Sequence, residues 1–220
     1  MAKLYFRYGA MNSGKTTAML QTAYNYEERG HAVLLAKPAI DTKGDMGLLS
    51  RLGVSRESDI IVAPTSDLFG AFQKKREEVV RAEGRDVSCL LIDEAQFLTE
   101  AQVDDLLRIA LLEDIAVIAY GIRTDFQTVA FPGSRRLLEI AHSIEELKTL
   151  CRCGNKAIFN ARKINGVFVF DGDQVAIDND VLTYESLCGL CYLHESDGQL
   201  NAGRRQWPVQ LTLEPDVDFS

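Results

Sequence analysis

Apolar residues come along the first two-thirds of this chain in short unbroken runs, separated by longer stretches where they recur every three or four positions. Short continuous runs read as strands covered on both faces, and the wider spacing reads as helices with one buried side. "KLYFRY" (3–8) opens as a strand, and "TTAMLQTAYNYEERG" follows as a helix ended by Gly30. "AVLLAKPA" (32–39) is a second buried strand and "DIIVAP" (59–64) a short one, followed by a helix around 66–83 carrying "FQKKREEVVRAE". "VSCLLIDEAQF" (87–97) is an apolar run that meets two carboxylates. Thr99 reads as the N-cap of "EAQVDDLLRIALLED", "IAVIAYGI" (115–122) as a strand, and a helix near 134–142 and a strand near 144–150 complete the series. Strands alternating with helices predict a mainly parallel α/β sheet.

Two regions break this rhythm. Residues 40–58, "IDTKGDMGLLSRLGVSRES", have no steady period and hold three glycines, so they read as a mobile loop. At "CRCG" the composition shifts, and residues 151–192 become richer in turn residues and short strand-like pieces, which predicts a small β-containing appendage. From His194 onward no helical period remains, and the tail is expected to be mobile. The expected organisation is an α/β domain over 1–150, an appendage over 151–194 and a tail over 195–220, with no internal repeat and no low-complexity segment.

A chain of 220 residues can bury one good core and a small addition. Lys plus Arg is 24 and Asp plus Glu is 32, for a net charge of −8, which argues against nucleic acid as the main partner. No apolar run reaches the roughly 18 residues of a membrane helix. The N-terminus lacks the charged and apolar regions of a signal peptide. The expectation is a cytoplasmic protein with reduced thiols, whose five cysteines call for metal or core explanations.

"GAMNSGKTT" fits G-x-x-x-x-G-K-[ST], with Gly9, Gly14, Lys15 and Thr16 at the fixed positions and Ala10, Met11, Asn12 and Ser13 between them. The glycines let the backbone turn so tightly that successive N–H groups face an anion. Lys15 reaches the β- and γ-phosphates, and the Thr16 hydroxyl can ligate Mg²⁺. A chance match is the plain alternative, but strand, loop and helix stand in register here, so the loop is read as binding a nucleoside triphosphate. Asp93 and Glu94 end an apolar strand, where ligands of an open α/β sheet bind. Asp93 suits Mg²⁺, through water, and Glu94 is placed to take a proton from whatever attacks the γ-phosphate. A solvated acidic strand end is the plain alternative. "DEAQ" also resembles helicase motifs, so a helicase is one rival reading and an ATPase switch, with water as acceptor, is another. Helicase motors usually need two sheet domains, and this chain has residues for one.

Cys151 and Cys153 in "CRCG" and Cys188 and Cys191 in "CGLC" read as a four-thiolate zinc site joining two knuckles. The intervening residues, 154–187, exceed the roughly 15–20 common between such pairs, which implies a loop pinned between the knuckles. Cys89 sits inside an apolar strand and reads as core, and His194 is a distant alternative ligand.

"GAMNSGKTT", "IDEAQF", "YGIRTDFQTVAF" and the paired cysteines with "CYLH" occur in this order from residue 1 to about residue 194, and together they resemble the cytosolic type of thymidine kinase. The resemblance implies a P-loop NTPase-like, mainly parallel sheet flanked by helices, with a small zinc-ribbon-like β appendage. It implies transfer of the γ-phosphoryl of ATP to the 5′-hydroxyl of thymidine, with Mg²⁺ accompanying ATP and a structural Zn²⁺. By position, Glu94 would be the general base, Asp93 and Thr16 would hold Mg²⁺, and Ala95 and Gln96 would belong to the phosphate-side turn. Asp41 and Lys43 match a phosphate-side loop, with Lys43 where family members often carry Arg. Phe97, Ile122, Phe126 and Phe131 would wall the base pocket, although the phenylalanines alone would read as core. Asn160, Arg162, Val175, Ala176, Ile177, Asp178, Asn179 and Tyr184 would form the thymidine-binding loop that the zinc pins. "VAIDN" (175–179) stands where the family often has glycines. A homotetramer and feedback inhibition by thymidine triphosphate are also implied by the resemblance, with neither nucleic acid nor membrane as a partner.

Overall fold

The short apolar runs become adjacent strands of one sheet, because strands covered on both faces have no reason to alternate polar and apolar residues. A computed structural model of the chain describes residues 1–39, 47–49, 55–173, 182–201 and 203–207. By its internal contacts the chain divides into two units, Met1–Arg123 with Ala130–Thr149, and Thr124–Val129 with Leu150–Ser220.

The first unit runs β1 (Leu4–Tyr8), α1 (Lys15–Glu27), β2 (Ala32–Pro38), β3 (Gly47–Leu49), β4 (Ser55–Glu57), β5 (Ile60–Val62), α2 (Leu68–Glu83), β6 (Val87–Ile92), α3 (Glu100–Leu112), β7 (Ala116–Gly121), α4 (Pro132–Ile140) and β8 (Ser143–Glu146). Six strands pair in the order β5-β2-β6-β7-β1-β8, all parallel. Successive strand residues point to opposite faces, so each strand feeds two cores. Leu4, Phe6, Leu90, Ile92 and Val117 pack with Leu68, Phe72, Val103, Leu106 and Leu137 of α2, α3 and α4. Leu35, Cys89, Leu91, Ile118 and Tyr120 pack with Met19, Leu20 and Ala23 of α1. Cys89 is fully buried, and burial pushes its thiol up to about 12, which keeps it a neutral core residue.

Helix starts follow local chemistry. Thr99 Oγ1 accepts from the Gln102 N–H (3.2 Å) while Gln102 Oε1 accepts from the Thr99 N–H (3.1 Å), a reciprocal cap for α3. Asp67 caps α2 at the Gly70 N–H, and Pro132 opens α4, where a missing N–H costs nothing. The expected strand near 144–150 is shorter: β8 ends at Glu146, and the Leu147 N–H completes its pairing to β1 at the Tyr8 carbonyl (2.7 Å). Within the segment read as a loop, β3 and β4 pair antiparallel, and Arg56 of β4 binds the Val33 carbonyl (3.1 Å) and Glu27. Asp41 and Lys43 lie outside the described residues.

The second unit contains β9 (Thr149–Leu150, which begins at the unit boundary), β10 (Lys156–Ala157), β11 (Phe159–Ile164), β12 (Val167–Val169), β13 (Leu182–Leu187), α5 (Gly189–Glu195), β14 (Gln199–Leu200) and β15 (Arg205–Gln206). Its central element is the antiparallel sheet β12-β11-β13 over a small core of Ala157, Ala161, Leu187 and Tyr192 with Phe159, Phe168 and Phe170. Thr124–Val129, which follows β7 in sequence, belongs to this unit. The hydrogen bonds explain why: Tyr192 Oη donates to the Phe126 carbonyl (2.6 Å), Asn160 Nδ2 to the Thr124 carbonyl (3.3 Å), and Gln127 Nε2 to the Phe170 carbonyl (3.1 Å). The sequence expectation kept this segment with residues 1–150. Beyond His194, β14 and β15 form a short ribbon where no regular structure was expected. Val175 to Asn179 and residues 208–220 lie outside the described residues.

Candidate active site

The loop between β1 and α1 is shaped by its two glycines for different reasons. A Cβ at Gly9 would overlap Ser13 Oγ and the Leu147 carbonyl, so only glycine fits the space. Gly14 has open space but sits at φ 76°, ψ 21°, which an L side chain resists. Asn12 also takes a left-handed conformation (φ 64°), and the Ser13 N–H returns to the Ala10 carbonyl (3.3 Å). No side chain caps α1, so the N–H groups of its first turn stay available to an anion. Lys15 is buried beside them, with Nζ on the carbonyls of Gly9 (3.1 Å) and Ala10 (2.9 Å). Burial lowers its pKa, opposed by Glu94 and Asp93.

Those carboxylates arrive at the end of β6. The Asp93 N–H continues the β2 pairing to the Ala36 carbonyl (3.0 Å), which fixes the chain as it leaves the sheet. Thr16 Oγ1 lies 3.3 Å from Asp93 Oδ2, joining the first turn of α1 to the strand end. Asp93 is 4% exposed, and burial followed by the neighbouring Glu94 charge raises its carboxyl to about 6. A carboxylate and a hydroxyl at this spacing are hard oxygen donors that suit Mg²⁺. Glu94 itself is left-handed (φ 49°, ψ 38°), and its N–H bonds Asp93 Oδ1 (3.0 Å). Its carboxylate accepts from Gln96 Nε2. Phe97 and Phe131 meet edge-on at 5.3 Å, and Ile122 is buried at the end of β7.

In the second unit, strand alternation puts Asn160 and Arg162 of β11 on one face with their partners Ser186 and Tyr184 of β13. The Arg162 guanidinium lies 3.5 Å from the centroid of the Phe126 ring and donates to the Asp173 carbonyl. Four of the residues singled out by resemblance, Phe126, Asn160, Arg162 and Tyr184, are therefore neighbours.

The sulfurs of Cys151, Cys153, Cys188 and Cys191 all lie within 4.8 Å of one another, with Cys153 and Cys188 at 3.6 Å. Tetrahedral zinc–thiolate bonds of about 2.3 Å require sulfur–sulfur distances near 3.8 Å, so the four need only tighten slightly. The turn at Cys151 is closed by its N–H on the Asn155 carbonyl (2.8 Å), and Cys188 occupies the N-cap position of α5. The Asn155 backbone N–H pulls Cys153 down to about 6, whereas burial pushes Cys188 and Cys191 up. Four adjacent thiolates need a cation, and this soft, closed donor set fits a metal such as zinc. His194 is not among these donors.

The thymidine kinase family model matches residues 2–192. The chain belongs to the thymidine kinase family. It is thereby a nucleoside kinase. Relatives named thymidine kinase include one from Mesorhizobium japonicum, 46% identical over 100% of this chain and 97% of its own. Another, from Legionella pneumophila strain Lens, is 45% identical over 90% of this chain and 91% of its own. One from Enterobacteria phage T4 is 43% identical over 86% and 94%. Among solved structures, Pif1 helicase from Candida albicans aligns at a TM-score of 0.40 and 15% identity, covering 66% of this chain and 36% of that one, an overlap too slight to bear on function.

In this thymidine kinase family member, three residues carry structure that the sequence reading did not assign. Asp125 Oδ1 accepts from the N–H groups of Gln127 (2.9 Å) and Val129 (2.8 Å), which folds the loop bearing Phe126. The available signal was Asp125 itself, since an Asp side chain readily accepts from backbone N–H groups two residues on. Tyr192 anchors the same loop, and "CYLH" offered it no visible partner. Gln96, read as a phosphate-side residue, is 1% exposed with both amide ends engaged by protein.

Proposed function

We propose that the protein transfers the γ-phosphoryl of ATP to the 5′-hydroxyl of thymidine, giving thymidine monophosphate and ADP for DNA precursor salvage. The observation that carries this reading is the 3.3 Å approach of Thr16 Oγ1 to Asp93 Oδ2, with Glu94 next in the chain. The backbone N–H groups of Ala10 to Thr16 hold the β- and γ-phosphates, and Lys15 leaves its loop carbonyls to meet them. Thr16 and Asp93 would hold Mg²⁺, which when bound offsets the negative charge of the phosphates. Glu94 accepts the proton of the 5′-hydroxyl as its oxygen attacks the γ-phosphorus, and ADP leaves with the bridging oxygen.

Phe97, Ile122, Phe126, Phe131, Asn160, Arg162, Tyr184 and Val175 to Asn179 are the substrate-binding residues in this reading, following the family resemblance. Asp41 and Lys43 serve the phosphate side, and Cys151, Cys153, Cys188 and Cys191 hold a structural Zn²⁺. A cytoplasmic homotetramer inhibited by thymidine triphosphate belongs to the same proposal and follows from the family resemblance. Among the described residues no helix is long and apolar enough to cross a membrane.

A transfer assay with radiolabelled ATP over a nucleoside panel tests the proposal. Labelled thymidine monophosphate is expected, and Glu94→Gln should lower turnover about 10²–10⁴-fold with ATP affinity nearly unchanged. ATP hydrolysis independent of nucleoside would point instead to an ATPase switch, and stimulation by RNA or DNA to a helicase. Wild-type turnover in the Gln variant would remove Glu94 from its role.

A further inference from the structure

A general base must hold its carboxylate on one line of approach, and a flexible glutamate at a strand end does not do so unaided. In this protein the restraint comes from a single neighbour. Gln96 Nε2 donates to Glu94 Oε2, and Gln96 Oε1 accepts from the Ile122 N–H at 3.1 Å. The amide cannot turn over without losing both bonds, because Ile122 offers only a donor and the ionised carboxylate only acceptors. Ile122 is fixed in turn, since Ser134 Oγ of α4 donates to its carbonyl at 2.6 Å. One chain of hydrogen bonds thus runs from Ser134 through Ile122 and Gln96 to Glu94.

Packing holds the chain in place. Gln96 and Ser134 are almost completely buried, so solvent does not compete for these groups. A Cβ on Gly121 would come 2.7 Å from Gln96 Oε1, so glycine there leaves the amide its space. A Cβ on Gly133 would come 2.5 Å from the Ala95 carbonyl and 2.9 Å from that of Gln96, so the first turn of α4 presses directly on this backbone. Glu94 also sits in the left-handed region, a conformation that persists in a non-glycine residue only where its surroundings impose it.

We infer that Gln96 is a positioning residue for phosphoryl transfer, orienting the Glu94 carboxylate through its side-chain amide rather than touching the nucleotide. The inference rests on the reading of Glu94 as the base. Its test is a double-mutant cycle read by kcat and KM in the radiolabel assay. Gln96→Met removes both bonds at similar volume. Gln96→Asn keeps an amide but is one methylene too short to bridge the Ile122 N–H and Glu94 together, so a second variant is in hand if the unpaired Ile122 N–H destabilises the first. Both should lower kcat about 10–10²-fold, the worth of a modest misplacement, with KM for ATP and thymidine within about twofold of wild type. In a Glu94→Gln background neither should lower kcat further. A kcat loss that persists undiminished in that background would overturn the inference, and so would loss of ATP affinity with kcat intact. Failure of the base reading looks different: Glu94→Gln would then be fully active whatever stands at position 96.

Discussion

Removing the charge of Asp93 should make the protein more stable and less active, and the size of the gain can be worked out. Burial and the adjacent Glu94 raise this carboxyl to about 6, against about 3.9 for an exposed aspartate. The folded state therefore binds a proton that the unfolded state has released between about pH 4 and pH 6, so stability falls as pH rises through that window. A rise from about 3.9 to about 6 corresponds to at most about 3 kcal/mol. Above pH 6 the metal-free protein carries this full cost, and a bound divalent cation offsets it. Asp93→Asn keeps a carbonyl oxygen for the Glu94 N–H and turns its NH₂ toward the Thr16 hydroxyl, which can accept. In urea unfolding without Mg²⁺, the Asn variant should exceed wild type by about 1–3 kcal/mol at pH 7.5 and match it near pH 4. Mg²⁺ with ATP should stabilise wild type strongly and the variant little, and Mg²⁺ binding to wild type should weaken as pH falls through about 6. A variant less stable than wild type at pH 7.5, or a difference that does not change with pH, would refute the reasoning.

Gly9→Ala should lower ATP affinity at least about tenfold and cost roughly 1–3 kcal/mol of stability, because its Cβ meets a backbone carbonyl that cannot step aside. Isothermal titration with an ATP analogue and a melting curve check both. Metal analysis should find one zinc per chain, lost in Cys151→Ser and Cys188→Ser and kept in Cys89→Ser. Zinc lost with Cys89 and kept with Cys151 would reverse the assignment.

The sheet was legible because helices cover both of its faces, which turns each strand into an unbroken apolar run such as "VSCLLI". The phosphate loop and the cysteine pairs were legible because their chemistry fixes spacing in the chain itself. What escaped was decided by partners distant in sequence. Thr124–Val129 joins the second unit through hydrogen bonds with Asn160, Phe170 and Tyr192, none of which leaves a mark near residue 124. Helix α5 has seven residues, too few for a period to declare itself. Gln96 could be placed beside the carboxylates by its motif, but the use of its two amide ends depends on Ile122 and hence on β7.

The closeness of Tyr192 to the cysteines gives a metal in this kinase a specific task. A seven-residue helix is not stable alone, so α5 depends on what fastens its ends. Cys188 stands at its N-cap and Cys191 inside it, next to Tyr192, whose ring packs on Phe159 (5.0 Å) and edge-on to Phe170 (5.2 Å). Burial, helped by the Asp125 charge, raises the Tyr192 phenol, so it remains a donor to the Phe126 carbonyl at neutral pH. A metal on the four sulfurs would thus hold α5, α5 holds Tyr192, and Tyr192 holds the loop whose Phe126 is proposed to wall the nucleoside. Tyr192→Phe keeps the ring and removes one hydroxyl, leaving a buried acceptor at a cost of about 1–3 kcal/mol. Expressed as thymidine binding, that is a KM increase of roughly 5–150-fold, since about 1.4 kcal/mol is tenfold. Zinc content and ATP affinity should stay at wild-type values, whereas chelation of the metal should raise the thymidine KM at least as far. Unchanged thymidine KM in a zinc-loaded Tyr192→Phe enzyme would break the chain at its middle link, and loss of ATP binding in step with zinc would show that the metal supports the whole protein rather than this loop.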